Sequence, residues 1–197
     1  MPRMTTVAAR PRRTIAALAT ALLAAGVAVG SGADFTSSSA NPANTFSAGT
    51  LTIDNSKEGA AIFSPSNMKP GGAPQTGTVD IANKGSLAGT FTLTRDQLAS
   101  TDTGVSNPSA FATKVNLTVV DCGKFGDGDA APACGDSDDT ELYAGTLAAM
   151  QNTVALGDFA AGEKHRYQFG ATLDASAGNE YQGDSSSARF VWDAAQK

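Results

Sequence analysis

Histidine and cysteine are scarce in this chain, whose 197 residues include one His and two Cys. A His-Glu-x-x-His zinc motif needs two histidines, so the sequence cannot contain one. A Gly-x-Ser-x-Gly elbow, a Walker loop and a dinucleotide-binding glycine fingerprint are also missing. A Ser-His-Asp triad has no positive support, although its members need not be adjacent in sequence. We therefore predict no catalytic residues, and we interpret His165 as a solvated strand residue rather than a lone general base.

Charged residues are also few, at 17%, whereas the chain has 21 Gly. A helical bundle would need more Leu, Glu, Lys and Arg, and a coiled coil is excluded for the same reason. The composition favours a domain of strands and turns. Because about 100 to 200 residues per domain is usual, we expect one folded domain.

Basic residues are outnumbered and unevenly placed. Residues 1–33 hold four of the 14 basic residues and no acid, so the other ten face all 19 acidic residues and the rest of the chain carries −9. An acidic surface repels phosphates and anionic headgroups. We expect no nucleic acid partner.

Residues 1–33 have the pattern of a cleaved secretory signal peptide. Four arginines precede an apolar stretch at 15–29, and small residues follow it up to Ala33. The stretch is shorter than the roughly 20 residues that span a bilayer, so we favour a signal over a membrane anchor. No other segment is apolar enough to cross, and we predict a secreted protein with no membrane contact after signal removal.

The two cysteines of an exported chain reach an oxidising compartment. Cys122 and Cys134 have 11 residues between them, and a pair of this kind is most simply a disulfide. Closing so short a ring is worth roughly 3 kcal/mol by loop entropy. A zinc site is disfavoured because two thiolates do not complete a tetrahedral shell.

Apolar residues alternate with hydroxyl or charged residues along most of the remaining chain. This period of two predicts about nine strands, with Gly-rich turns between them, and therefore an all-β, antiparallel, jelly-roll-like β-sandwich with short helices in its loops. The short strand candidates are 61–63, 141–143 and 153–156, and the helix candidates are 96–100 and 145–151. We divide the chain into the signal at 1–33, a flexible N-terminal arm at 34–46 and a single sandwich domain at 47–197.

Acidic residues concentrate in the loop that the two cysteines bracket. Calcium prefers six to eight oxygen ligands, which this loop is able to supply, although its spacing does not match an EF-hand. We keep two interpretations open, a solvated acidic loop or a calcium site. The candidate ligands are Asp127, Asp129, Asp136, Asp138 and Asp139.

Four motifs in order resemble the TasA/camelysin family of secreted bacterial proteins. Behind the export signal come a run from Asn44 to Ile53, a Met-x-Pro-Gly turn, a strand that ends in Asn-x-Gly-Ser, and a closing strand pair. The residues are 44–53, 67–71, 79–87, and 179–183 with 190–196.

The resemblance implies a jelly-roll subunit that polymerises into fibres of a biofilm matrix or cell surface by donating its N-terminal segment to the next subunit. The partners would then be copies of itself and other matrix components, and Phe35 and Phe46 are our candidate anchors. Alternatively, the arm pairs within its own subunit. The camelysin branch also implies a second possibility, a secreted metallopeptidase, and a carbohydrate-binding module ranks last.

Overall fold

The alternating segments form strands because each places its apolar side chains on one face. The computed structural model describes residues 47–101, 108–151 and 153–197, so the predicted signal, the arm and the anchors Phe35 and Phe46 lie outside the described residues. Within those ranges there are eight strands: β1 (Ile53–Asn55), β2 (Gln75–Asn83), β3 (Gly89–Thr101), β4 (Val115–Phe125), β5 (Thr140–Thr146), β6 (Val154–Phe159), β7 (Lys164–Leu173) and β8 (Ser185–Gln196). One helix, α1 (Pro108–Lys114), and a 3₁₀ turn (Asn179–Tyr181) complete the elements.

The strands make two antiparallel sheets. One has five strands in the order β1-β2-β7-β4-β5, and the other has three in the order β6-β3-β8. Aromatic rings from both sheets meet in one core: Tyr167 of β7 lies 5.3 Å from Trp192 of β8, and Phe169 lies 4.8 Å from Phe190. The predicted all-β antiparallel sandwich is confirmed.

Strand β7 is the centre of the five-stranded sheet, between β2 and β4. Its inward side chains are fully or almost fully buried, with Tyr167 and Phe169 at 0% exposure. Burying one such side chain stabilises the fold by about 1.5–3 kcal/mol. In the described part of the chain, no helix is long and apolar enough to cross a membrane.

Two predicted helices are wrong. Residues 96–100 belong to β3, where Gln97 has φ of 46° in a bulge and Ala99 and Ser100 pair with Ser187 and Ser186 of β8. Helix propensity is a weak preference, and strand pairing overrides it here. In the segment 145–151, the first two residues end β5 and a turn follows, closed by the amide of Ala149 on the carbonyl of Thr146.

One predicted strand is also wrong, and one helix was not predicted. Residues 61–63 join no sheet, although Ile62 and Phe63 pack against the core with partly buried side chains. Helix α1 begins at Pro108. Proline suits the first turn of a helix because its missing N–H would be unpaired there.

Candidate functional site

A cluster of three ionisable side chains lies at one end of the sandwich. The Nδ1 atom of His165, the second residue of β7, is 2.9 Å from Oδ2 of Asp121 on β4, and Nε2 is 3.3 Å from Oε1 of Glu163. The imidazole stacks on Phe159 of β6 at 4.5 Å between ring centres. Only 15% of the His165 side chain is exposed, so its interpretation as a solvated residue is wrong. Its partner Asp121 is 44 positions away in sequence, and no sequence pattern signals the pair.

Both ring nitrogens of His165 face carboxylate oxygens, which only accept hydrogen bonds. A neutral imidazole has one N–H and satisfies one of them, whereas an imidazolium satisfies both. Burial alone lowers the pKa of His165, but the hydrogen bonds and charges of Asp121 and Glu163 outweigh it, and the pKa lies above its ordinary value. The protonated form of the imidazole is therefore the one that satisfies both contacts, and the stacking of the ring on Phe159 joins the two sheets.

The disulfide beside this cluster closes the acidic loop. Cys122, on β4, is bonded to Cys134, as predicted, and the chain bulges here because Gly123 has φ of 107°. Asp127 in the loop binds two lysines, Lys84 at 2.9 Å and Lys164 at 3.1 Å. Hydrogen bonds from these lysines hold the pKa of Asp127 below its ordinary value.

The other acidic residues of the loop mostly bind its own backbone. Asp129 accepts from the amide of Gly126 at 2.9 Å, Asp136 from that of Asp138 at 3.2 Å, and Asp139 from that of Gly135 at 2.6 Å. Among the residues that the structure describes, no three His, Cys, Asp or Glu side chains are grouped as a metal site requires. Calcium binding by Asp127, Asp129, Asp136, Asp138 and Asp139 stays a prediction.

The Asn-x-Gly-Ser motif, residues 83–86, holds the segment around Thr50 in place near the start of the described chain. Asn83 is fully buried, and its side-chain amide donates to the carbonyls of Leu87 at 2.7 Å and Ala160 at 3.2 Å. A Cβ atom on Gly85 would lie 2.3 Å from the carbonyl oxygen of Thr50, so only glycine allows this close approach. Ser86 completes the motif: its hydroxyl accepts from the amide of Thr50, and its own amide donates to the Thr50 carbonyl.

Strand β8 is an edge strand of the three-stranded sheet. In the described part of the chain it pairs with β3 alone, at 11 of its 12 residues. The inward side chains Phe190 and Trp192 reach the core but stay only half buried. A long edge strand with unpaired backbone groups is a template for another strand.

A segment without strand structure packs against one of the same core rings. Phe63 lies 6.2 Å from Phe169, the ring that Phe190 and Trp192 also contact. Phe63 joins no sheet, so this segment adds side chains to the core but no backbone partner for β8.

A second opening lies between β5 and β6, the edge strands of the two sheets. It is a groove of about 410 Å³ with a mostly apolar lining that includes Leu142, Tyr143, Met150 and Val154. The flanking strands are short, with seven residues in β5 and six in β6.

These features define a class of protein, an antiparallel β-sandwich with open sheet edges and an N-terminal extension. The family model described as camelysin metallo-endopeptidase matches residues 11–197, and the chain belongs to this family. The resemblance to TasA and camelysin is thereby confirmed. No curated protein matches the chain.

The family description implies a catalytic metal, and the residues that the structure describes do not fit one. A catalytic zinc takes three protein ligands, usually with at least one imidazole. The only imidazole of the chain has its two nitrogens on carboxylates at opposite sides of the ring, and the only two cysteines are oxidised.

Proposed function

We propose that this chain is a secreted structural protein that self-assembles into extracellular fibres, of a biofilm matrix or a cell surface, through donor-strand exchange of its N-terminal arm. The open edge of β8 carries the proposal. An extended segment added there would pair its backbone with the edge and cover Phe190 and Trp192 with its alternate side chains.

The sequence of residues 34–46 suits a donor segment. It is small and polar, it becomes the new N-terminus if the signal is removed, and it contains Phe35 and Phe46. These two residues are 11 positions apart, and an odd separation places them on opposite faces of one regular strand. We therefore expect one of the two, and not both, to enter the core of the receiving subunit.

The net charge of the subunit should make its assembly depend on pH and on divalent cations. A subunit that starts at Asp34 carries −9, so identical copies repel each other at neutral pH. Protonation of carboxylates, or divalent cations, reduces this repulsion. Acid should therefore favour fibres.

Negative-stain electron microscopy tests the proposal. The chain that begins at Asp34 and a truncation that begins at Ser47 are concentrated side by side at neutral and acid pH. Fibres from the longer chain only are the expected result. Monomers from both would contradict the proposal.

The single tryptophan gives a second readout in solution. Trp192 lies on the inward face of β8 and is half buried. When an added strand covers it, its emission should shift to shorter wavelength and acrylamide should quench it less. The truncation at Ser47 is the matched control and should show neither change.

The family description favours a second candidate, a secreted metallopeptidase. The arrangement of His165 weighs against it, because both nitrogens already bind carboxylates. Cleavage of casein that a chelator stops and that His165→Ala abolishes would support this candidate over the fibre protein.

A further inference from the structure

We propose that residues 60–66 are a displaceable plug that blocks the free edge of β8, and that release of this plug is the step that allows a strand to be added there. The plug is an autoinhibitory contact within one subunit. Its link to assembly rests on the proposed function, whereas the plug itself is defined by contacts within this chain. Its place in the sandwich, the fixed chain on either side of it and its loosely held middle support the proposal.

The plug lies where the smaller sheet ends. Strand β8 lies opposite β7, since Trp192 is 5.3 Å from Tyr167 and Phe190 is 4.8 Å from Phe169. The groove between β5 and β6 marks one side of the sandwich, so the free edge of β8 points to the other side, where β2 and β1 extend the larger sheet. Neighbouring strands are about 4.8 Å apart in both sheets. A strand added beyond β8 would therefore lie over β2.

Residues of the plug fill this place over β2. The ring of Phe63 is 6.2 Å from the ring of Phe169. A Cβ atom on Gly77, in β2, would lie 2.4 Å from Cβ of Phe63 and 2.6 Å from the carbonyl oxygen of Ile62. The backbone of the plug therefore lies directly on β2, and only glycine at position 77 allows this close approach. The plug and an added strand would compete for the same space.

The chain is fixed to the larger sheet on either side of the plug. Before the plug, the amide of Ser56 donates to the carbonyl of Asp80 on β2 at 3.0 Å. After the plug, the amide of Gly71 donates to the carbonyl of Leu173 at the end of β7 at 2.9 Å. The plug is therefore a strap whose middle is free to leave β2 while both anchor points stay in place.

The middle of the plug has few contacts that resist release. Among the described residues, the backbone of residues 61–65 makes no hydrogen bond to a strand. The Gln75 side chain accepts from the amide of Ser66 at 3.0 Å and donates to its carbonyl at 2.7 Å. Left-handed turns adjoin the plug at Gly59, with φ of 71°, and at Asn67, with φ of 52°. A segment with so few backbone hydrogen bonds opens at a lower free energy than the strands around it.

Two substitutions in β2 should release the plug by different routes. Gly77→Ala places a methyl group where the backbone of the plug lies, and Gln75→Ala removes both hydrogen bonds to Ser66. Thr76→Ala is the matched control, because Thr76 lies between them in β2 and its side chain is exposed. Each substitution is made in the chain that begins at Asp34.

Chymotrypsin measures release at neutral pH, because cleavage of a segment that opens and recloses rapidly follows the population of its open form. We expect the cut after Phe63 to become about tenfold faster in Gln75→Ala, which loses two hydrogen bonds, and at least as much faster in Gly77→Ala. Thr76→Ala should leave the rate unchanged. Cuts after Tyr167 and Phe169, which are fully buried in β7, report global unfolding and should stay at the level of the unsubstituted chain.

Light scattering and negative-stain electron microscopy at acid pH test the link to assembly. Both loosened variants should form fibres after a shorter lag than the unsubstituted chain, because an added strand no longer has to displace a seated plug. Thr76→Ala should keep the lag of the unsubstituted chain.

An unchanged rate for the cut after Phe63 in both Gly77→Ala and Gln75→Ala would overturn the plug. A faster cut together with an unchanged or longer lag would overturn its part in assembly and leave the proposed function standing. If the unsubstituted chain formed no fibres, the proposed function and the link to assembly would fail together. The cleavage rates would then still decide whether the plug is displaceable.

Discussion

Strands β7 and β8 carry similar inward residues but have very different surroundings. Tyr167 and Phe169 of β7 are completely buried, whereas Phe190 and Trp192 of β8, which contact those same rings, are half buried. The difference comes from position: among the described strands, β7 has a neighbour on each side and β8 has one. The central strand therefore contributes fully buried side chains to the core, whereas the inward side chains of the edge strand stay partly exposed.

Substitution of two touching phenylalanines should separate these roles, with the largest effect in β7. Phe169→Ala leaves a cavity at the centre of the core and should lower the free energy of unfolding by about 3–5 kcal/mol. Phe190→Ala removes a half-buried ring and should cost about half as much, roughly 2 kcal/mol. Urea denaturation of the chain from Ser47 measures both.

In fibre assembly we expect the opposite order, with the larger effect from Phe190→Ala and the smaller from Phe169→Ala. Under conditions where both variants are folded, Phe190→Ala should slow or abolish fibre formation by the chain from Asp34, because the added strand loses the ring that it covers. Phe169→Ala should still form fibres at low temperature. If urea denaturation showed the same loss of stability for Phe169→Ala and Phe190→Ala, the difference that we assign between the central strand β7 and the edge strand β8 would be wrong.

The disulfide should affect stability and leave assembly unchanged. Replacing both Cys122 and Cys134 by Ala opens a short ring and should cost roughly 3 kcal/mol, measured by urea denaturation. The bond lies at the end of β4, in the other sheet from β8. Loss of fibres from a variant that is still folded would show that the disulfide loop takes part in assembly.

The His165 cluster should give the fold an upper pH limit. The folded pKa of His165 is raised above its ordinary 6.5, so its stabilisation is complete below about pH 6.5 and is lost as the pH rises through the folded pKa. The pKa of Glu163 is lowered from 4.5: burial opposes this shift, but the amide of Ala160 and then His165 outweigh it. Its contribution is present above pH 4.5 and is lost as the pH falls through the folded value. The charged groups around the imidazole are Asp121, Glu163 and Lys124, whose Nζ atom lies 3.8 Å from Oε1 of Glu163.

His165→Gln tests this limit, since glutamine keeps a polar side chain without the titration. The unsubstituted chain should lose free energy of unfolding as the pH rises above neutrality, and the variant should lose less. Denaturation in urea from pH 5 to pH 9 measures the difference. Parallel curves for the two proteins would show that the imidazole is not held as a cation.

The main strands were predictable from sequence because one face of each is buried. Val79 and Ile81 in β2, and Leu117 and Val119 in β4, alternate with polar residues and are all buried. Residues 96–100 were misjudged because Asp-Gln-Leu-Ala-Ser also suits a helix, and only the distant strand β8 decides the outcome. Residues 61–63 differ from the prediction in the opposite sense, because Ile62 and Phe63 pack against the core without joining a ladder.

The site was less predictable than the fold because its contacts are long-range. The disulfide was predictable, since a chain that is predicted to be exported and has two cysteines has one simple pairing. The contacts of His165 and of the buried Asn83 amide depend on residues 44 and 77 positions away in sequence. The position of β8 at the edge of its sheet follows from the order of the strands. The alternation of apolar and polar residues within a strand carries no information about that order.

Calcium should have the smallest effect of all. Asp127 is neutralised by Lys84 and Lys164, and three other carboxylates of the loop accept from the backbone, so binding of calcium would have to replace these contacts. We expect the thermal midpoint of a chelator-treated sample to stay unchanged when millimolar calcium is added. A rise in the midpoint that Asp129→Asn or Asp139→Asn abolishes would instead establish the acidic loop as a calcium site. In that case the loop at the end of β4 would bind calcium in place of the backbone and lysine contacts that its carboxylates make here.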